Sequence, residues 1–107
     1  MTHPQLQEIL AQLKCQLLEL YGDRLSSLIL FGSQARKEST ADSDIDVLVV
    51  LADQLDVPVE RRKLSEFLAA LCLEHDVLIT CVWAELQVWK SRQSPLLINV
   101  RREGITV

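Results

Sequence analysis

Asp44 and Asp46 stand two residues apart at the start of a run rich in Val and Leu that ends at Leu51. Side chains alternate along a strand, so a pair at this spacing puts both carboxylates on one face. Two like charges held close are unfavourable unless a cation lies between them or water screens them. The pair is therefore either a ligand set for a divalent metal or a frayed, solvated strand end. Its surroundings favour the first reading. Gly32 and Ser33 follow directly on another apolar run, Leu25–Phe31. Glycine permits close backbone approach, and a Ser hydroxyl with adjacent backbone N–H groups can hold phosphate oxygens. Such a turn beside the Asp pair would grip a polyphosphate on one side while the carboxylates held the bridging metal on the other. Arg36 and Lys37 either add positive charge where phosphate would lie or stand as solvated surface charges.

Other phosphate and metal motifs fail on inspection. Asp42, Asp44 and Asp46 alternate like the opening of an EF-hand loop, but the required glycine position holds Val47 and the closing Glu position holds Asp53. The chain has three glycines, Gly22, Gly32 and Gly104, and neither a GxxxxGK[ST] nor a GxGxxG sequence. Ser33 is not in a GxSxG elbow. Cys72 and His75 supply half of a zinc spacing that nothing completes, and three cysteines without a CxxC pair do not make a disulfide framework.

The elements that must position these residues follow from periodicity. Leu6, Ile9, Leu10, Leu13, Leu17 and Leu20 recur at helical spacing over residues 4–21, with Pro4 suited to the first turn and Gly22 to the stop. Leu25–Phe31 and residues 44–51 read as buried strands, separated by eleven small or polar residues, 33–43, too polar for a core element. Pro58 marks a helix start. Leu64, Phe67, Leu68 and Leu71 then form one apolar stripe opposite Arg61, Arg62, Lys63 and Glu66. A third strand is predicted over residues 76–83, a short helix over 84–90, a last helix from Ser94-Pro95 to about Glu103, and an edge strand over 105–107. The order is α-β-β-α-β with short appendages: an α/β (α+β) fold with a small mixed sheet packed against helices.

Composition sets the outer bounds. At 107 residues, 49% hydrophobic and 24% charged, the chain is globular and has room for one small domain over residues 1–107. A formal net charge of −4 makes it a poor general binder of nucleic acid, so no direct nucleic-acid partner is expected. Polar residues interrupt the N-terminus throughout, and no apolar run reaches the roughly 20 residues that span a bilayer. A cytoplasmic protein is expected.

Gly32-Ser33, ten intervening residues, then Asp44-Ile45-Asp46 resembles the GS-x10-DxD signature of the DNA polymerase β-like nucleotidyltransferase superfamily. Within it, the GSQAR…SDIDVLV wording and the length are similar to the minimal nucleotidyltransferases, the MNT group of MntA-type antitoxins. The resemblance implies that Gly32 and Ser33 contact the nucleotide phosphates, and Arg36 is a further candidate nucleotide-binding residue by its charge. Asp44 and Asp46 would coordinate two Mg²⁺ ions, and an acceptor hydroxyl would attack the α-phosphorus of ATP with loss of pyrophosphate. It also implies a third carboxylate from the next strand. Asp76 is the acid available there; aligning on the strand's other end puts Thr80 at that position instead, and both share strand parity.

The chain has no room for an acceptor-binding domain, so another chain or a second copy is expected to present the acceptor; a homo- or hetero-oligomer is compatible with this, and the sequence leaves the oligomeric state open. The resemblance implies a HEPN-family toxin whose tyrosine is adenylylated. Two other readings stand beside it: an antitoxin of weak or no activity that masks its toxin stoichiometrically, and a small-molecule nucleotidyltransferase, disfavoured by the missing acceptor domain. Leu86, Trp89, Leu96, Leu97, Ile98 and Val100 either pack on the sheet or form a partner face.

Overall fold

The structure, a computed structural model, describes residues 4–36, 44–53, 55–91 and 94–107. Helix α1 (Leu6–Tyr21) buries Leu6, Ile9, Leu10, Leu13, Leu17 and Tyr21, the i, i+3, i+4 stripe of an amphipathic helix. It stops at Gly22, whose φ of 52° suits a residue without a side chain. The stripe closes on Tyr21 and leaves Leu20 exposed. Tyr21 takes the inward position because its ring meets the edge of Trp83 and its hydroxyl donates to the buried Glu60 at 3.1 Å.

Strand β1 (Leu25–Phe31) runs antiparallel to β2 (Ile45–Leu51), which runs parallel to β3 (Ile79–Glu85). The sheet order is β3-β2-β1-β4, where β4 (Ile105–Thr106) is a two-residue edge. A parallel neighbour requires a crossover, and the 19-residue helix α3 (Val57–His75) supplies it. Asp56 caps that helix by accepting from the Val59 N–H, while Glu60 reaches back to the Asp56 N–H at 3.1 Å. Pro58 sits in the first turn, where no helical donor is lost.

Central β2 is apolar almost throughout because both of its faces are covered. Leu28, Leu30, Val47, Val49, Ile79 and Trp83 point to the core shared with α1 and α3. Ile29, Leu48, Val50 and Ala84 point to a second, smaller core closed by Leu97 and Val100 of helix α5 (Pro95–Glu103). Leu86 and Trp89 of helix α4 (Leu86–Ser91) pack against it in part. The C-terminal apolar residues thus divide between two roles. Leu97 and Val100 are core, whereas Leu96 and Ile98 remain 43% and 42% exposed.

Two elements differ from the periodicity reading. The polar stretch after β1 begins with a short helix, α2 (Gly32–Arg36), whose Gln34 and Ala35 are buried. Strand β3 begins at Ile79, three residues later than predicted, and runs to Glu85. The delay has a local cause: Asp76 adopts the left-handed conformation (φ 51°, ψ 53°) that ends α3, with its backbone N–H on the Cys72 carbonyl. The Val77 N–H reaches the same carbonyl at 3.1 Å. No helix among the described residues is long and apolar enough to cross a membrane.

Candidate active site

Strand β1 leaves the sheet at Phe31, and its rung partner is Asp46. The next residue, Gly32, turns the chain into α2 at φ 74°, a left-handed value that side chains rarely tolerate. An added Cβ at Gly32 would lie 2.6 Å from Asp46 Oδ2, so besides suiting the backbone conformation the glycine leaves a carboxylate room that a larger residue would take by displacing it. Residues with GS-type chemistry and DxD-type chemistry, distant in sequence, are thereby in contact through one missing side chain. Ser33 follows in the first turn of α2, half-buried.

Strand alternation fixes which way the acids face. Val47 and Val49 point to the α1/α3 core, and Leu48 and Val50 to the α4/α5 core. Asp46 shares the parity of Leu48 and so stands on the α4/α5 side, at the end of the sheet, with Asp44 exposed just before the strand. The Asp46 carboxyl is held above the usual aspartate range, first by burial and then by the charge on Asp44, with Arg36 opposing. A half-buried carboxylate raised by a like charge is the arrangement that a divalent cation relieves. Oxygen donors of this kind suit Mg²⁺, which needs further oxygens from phosphate and water to complete six. The chemistry of these two carboxylates is of the kind that suits such an ion.

Arg36, at the end of α2, is close enough to oppose that shift, but its guanidinium is also committed: NH1 donates to both carboxylate oxygens of Glu103 at 3.0 Å. This pair ties α2 to the end of α5. Glu103 lies 67 residues from Arg36, and no local pattern marks it. Lys37, Asp42 and Ser43 lie outside the described residues.

The β2–β3 register places Thr80 beside Asp46. Thr80 shares the parity of Val82 and Ala84, so it stands on the same side as Asp46 and is exposed. Asp76, proposed from the sequence as a further metal ligand, lies before the strand, in the cap of α3, and is also exposed. The strand parity expected to align Asp76 with Thr80 does not apply, because residues 76–78 are not in the sheet. Among the described residues, no three His, Cys, Asp or Glu side chains gather into a metal-holding group. A cavity of about 440 Å³ opens elsewhere, against α5 and β4, with Trp89 and Arg102 in its wall.

An acidic pair thus stands at the end of a mixed sheet, beside the turn that opens α2. Comparison with known proteins narrows the class. The sequence profile of the nucleotidyltransferase domain matches residues 10–97. This chain belongs to that nucleotidyltransferase family. It is 33% identical over 73 residues to a Methanocaldococcus jannaschii protein named "putative protein adenylyltransferase", covering 68% of this chain and 73% of that one. A solved toxin–antitoxin complex with AMP-PNP contains a chain that superposes with a TM-score of 0.60 at 27% identity, over 87% of this chain and 68% of that one. A complex of tri-AMPylated Shewanella oneidensis HEPN toxin with MNT antitoxin gives a TM-score of 0.54 at 26% identity, over 94% of this chain and 70% of its own. A Sulfolobus solfataricus structure shares the fold, with a TM-score of 0.62 at 17% identity over 95% and 80% of the two chains.

Proposed function

We propose that this nucleotidyltransferase moves AMP from ATP to a hydroxyl on a partner protein, a HEPN-family toxin, and so acts as the antitoxin of a two-component pair. The observation that carries the reading is the contact of Gly32 with Asp46, which joins the phosphate-suited turn to the acidic pair. Its support from relatives is the likeness to an MNT antitoxin solved with an AMPylated HEPN toxin.

Asp44 and Asp46 would hold Mg²⁺, which when bound neutralises the triphosphate and acidifies the acceptor hydroxyl. The chain's own part is positional. Ser33 and the backbone N–H groups of the turn hold the terminal phosphates, and Arg36 adds positive charge from the end of α2. The α-phosphorus then lies in line between the acceptor oxygen and the departing pyrophosphate. One P–O bond forms to the acceptor, the P–O bond to pyrophosphate breaks, and the hydroxyl proton leaves to solvent. The β1–β2 ladder fixes the backbone of Asp46, and Gly32 leaves its carboxylate room.

Stoichiometric masking is the alternative, and one observation favours it: the neighbour of Asp46 on β3 is the neutral Thr80. Intact-protein mass spectrometry of a HEPN toxin mixed with this chain and Mg-ATP separates the two. Transfer predicts a gain of one or more AMP units that Asp44→Asn and Asp46→Asn each reduce by at least ~100-fold, with the complex retained. A stable complex that protects without any mass gain would sink the transferase reading.

A further inference from the structure

We propose that the outer edge of β3 is a docking surface for a second copy of this chain, the two β3 strands pairing antiparallel about Val82. This surface is independent of the transfer reaction and lies outside the acidic pair.

The two edges of the sheet differ. At one, β4 offers two residues, too short a ladder to recruit another strand. At the other, β3 offers seven, Ile79–Glu85, with no strand on its outer side among the described residues. An open edge presents unpaired N–H and C=O groups, and proteins blunt it with lysine, proline or brevity. The β3 sequence ITCVWAE has none of these, and its single charge, Glu85, comes last.

Both faces beside this edge have room for the side chains of an added strand. A hollow of about 370 Å³ lies where Val82 and Ala84 meet Val88 and Leu96 of α4 and α5. A second, of about 250 Å³, lies on the other face, where Ile79 and Cys81 meet Arg61 and Leu68 of α3. Val88 and Leu96 are exposed, as is Leu78 just before the strand. An added strand sends alternate side chains into the two hollows, so it must be apolar on both faces.

The β3 strand itself meets that requirement. In an antiparallel pair centred on Val82, that residue opposes its own copy, Cys81 opposes Trp83, Thr80 opposes Ala84, and Ile79 opposes Glu85. Directly opposed residues share a face, so the apolar pairs fall on the sides where apolar surface waits. No like charges meet, which matters between chains that each carry a net charge of −4. Glu85 of the second copy arrives beside Ile79, in the hollow that Arg61 lines, so the one acid enters on a side that carries a cation. The two four-stranded sheets then run into one, and Asp46 stands one strand in from the junction on each copy.

Sedimentation velocity on the full chain alone, across a range of concentrations, tests the pairing. A species with the mass of two chains is expected; a monomer throughout overturns the proposal. Val82→Lys sets two ammonium groups opposite each other and is expected to weaken association at least ~10-fold while thermal melting stays cooperative. Val82→Cys is expected to give a disulfide-linked dimer above the wild-type background on a non-reducing gel, since opposed Cα atoms about 4.5–5.5 Å apart suit that bond. Thr80→Cys is not, because its copies lie roughly 13 Å apart along the ladder. Equal cross-linking at both positions, or at neither, overturns the proposal even if the Lys variant fails to fold. If the wild-type chain is monomeric alone and Val82→Lys abolishes its complex with a HEPN toxin, the edge receives a strand of that partner and self-pairing is wrong.

Discussion

Gly32 and Asp46 are one structural unit although thirteen residues separate them in sequence. Gly32→Ala would place a Cβ 2.6 Å from Asp46 Oδ2 and hold it at φ 74°. The expected cost is about 1–3 kcal/mol of stability, from the left-handed backbone and the displaced carboxylate together. AMP transfer should fall at least ~100-fold, since small misplacements of a site are expensive. Urea melts and the mass assay check both numbers, and wild-type transfer by the variant would remove the bracing role. Asp46 itself carries a second expectation. Burial, then Asp44, raise its proton affinity in the folded state, so the stability it lends is present below the ordinary aspartate range and is lost as pH rises through the raised value. At pH 7 without metal, the ionised side chain costs stability. Asp46→Asn should therefore raise the melting temperature at pH 7 by roughly 1–3 °C and leave it unchanged near pH 3, as differential scanning fluorimetry would show. A lower melting temperature at pH 7 would mean that the carboxylate is structural.

Helices α2 and α3 each end at a residue whose role depends on the element that holds it. Arg36 closes α2 and forks onto Glu103 of α5, an ion pair 39% and 29% exposed at its two side chains. Exposed pairs contribute under about 1 kcal/mol, so Glu103→Gln should change stability little. Arg36→Ala should raise KM for ATP several-fold, and by more than Glu103→Gln does. Equal, negligible shifts in both would reduce Arg36 to a strut between helices. Asp76 closes α3 in the left-handed region. Asp76→Gly removes the side-chain penalty there and is expected to keep stability within about 1 kcal/mol, on the favourable side. Transfer activity should stay at the wild-type level. A loss greater than tenfold would assign the Asp76 carboxyl a metal-binding role after all.

The molecule as a whole is a sheet with a large core on one face and a small one on the other, and the two ends of the sheet do different work. The end bearing Phe31, Gly32 and Asp46 carries the candidate chemistry. The opposite end is locked by Glu60, which accepts from the Tyr21 hydroxyl at 3.1 Å and the Asp56 N–H at 3.1 Å, with Lys63 at 3.4 Å. Burial alone would push the Glu60 carboxyl up, but these donors outweigh it and hold it below the usual glutamate range. Its stabilising share is accordingly full above about pH 4.5 and is lost as pH falls through the lowered value. Glu60→Gln should cost on the order of 1–2 kcal/mol at pH 7 and flatten the loss of stability on the acid side of pH 4.5. Urea melts across pH 3–7 measure this, and an acid limb identical to wild type would exclude Glu60 as its source.

What the sequence by itself determined is whatever depends on near neighbours. The Leu6–Leu17 stripe of α1, the unbroken apolar runs of β1 and β2 and the Pro58 start of α3 are local patterns, and each led to the element expected of it. Periodicity erred where two local preferences compete: it carried β3 back to Asp76, because it could not see that a left-handed turn ends α3 there. Tertiary structure alone decided the relations between elements. Whether Asp76 or Thr80 stands beside Asp46 depends on the β2–β3 register, which the α3 crossover sets by its packing and not by any residue near position 80. The Arg36–Glu103 fork spans 67 residues, and the meeting of Gly32 with Asp46 requires β1 and β2 to pair antiparallel in one register. Contacts of this kind are fixed by burying two apolar faces at once, a global condition that no window of sequence contains.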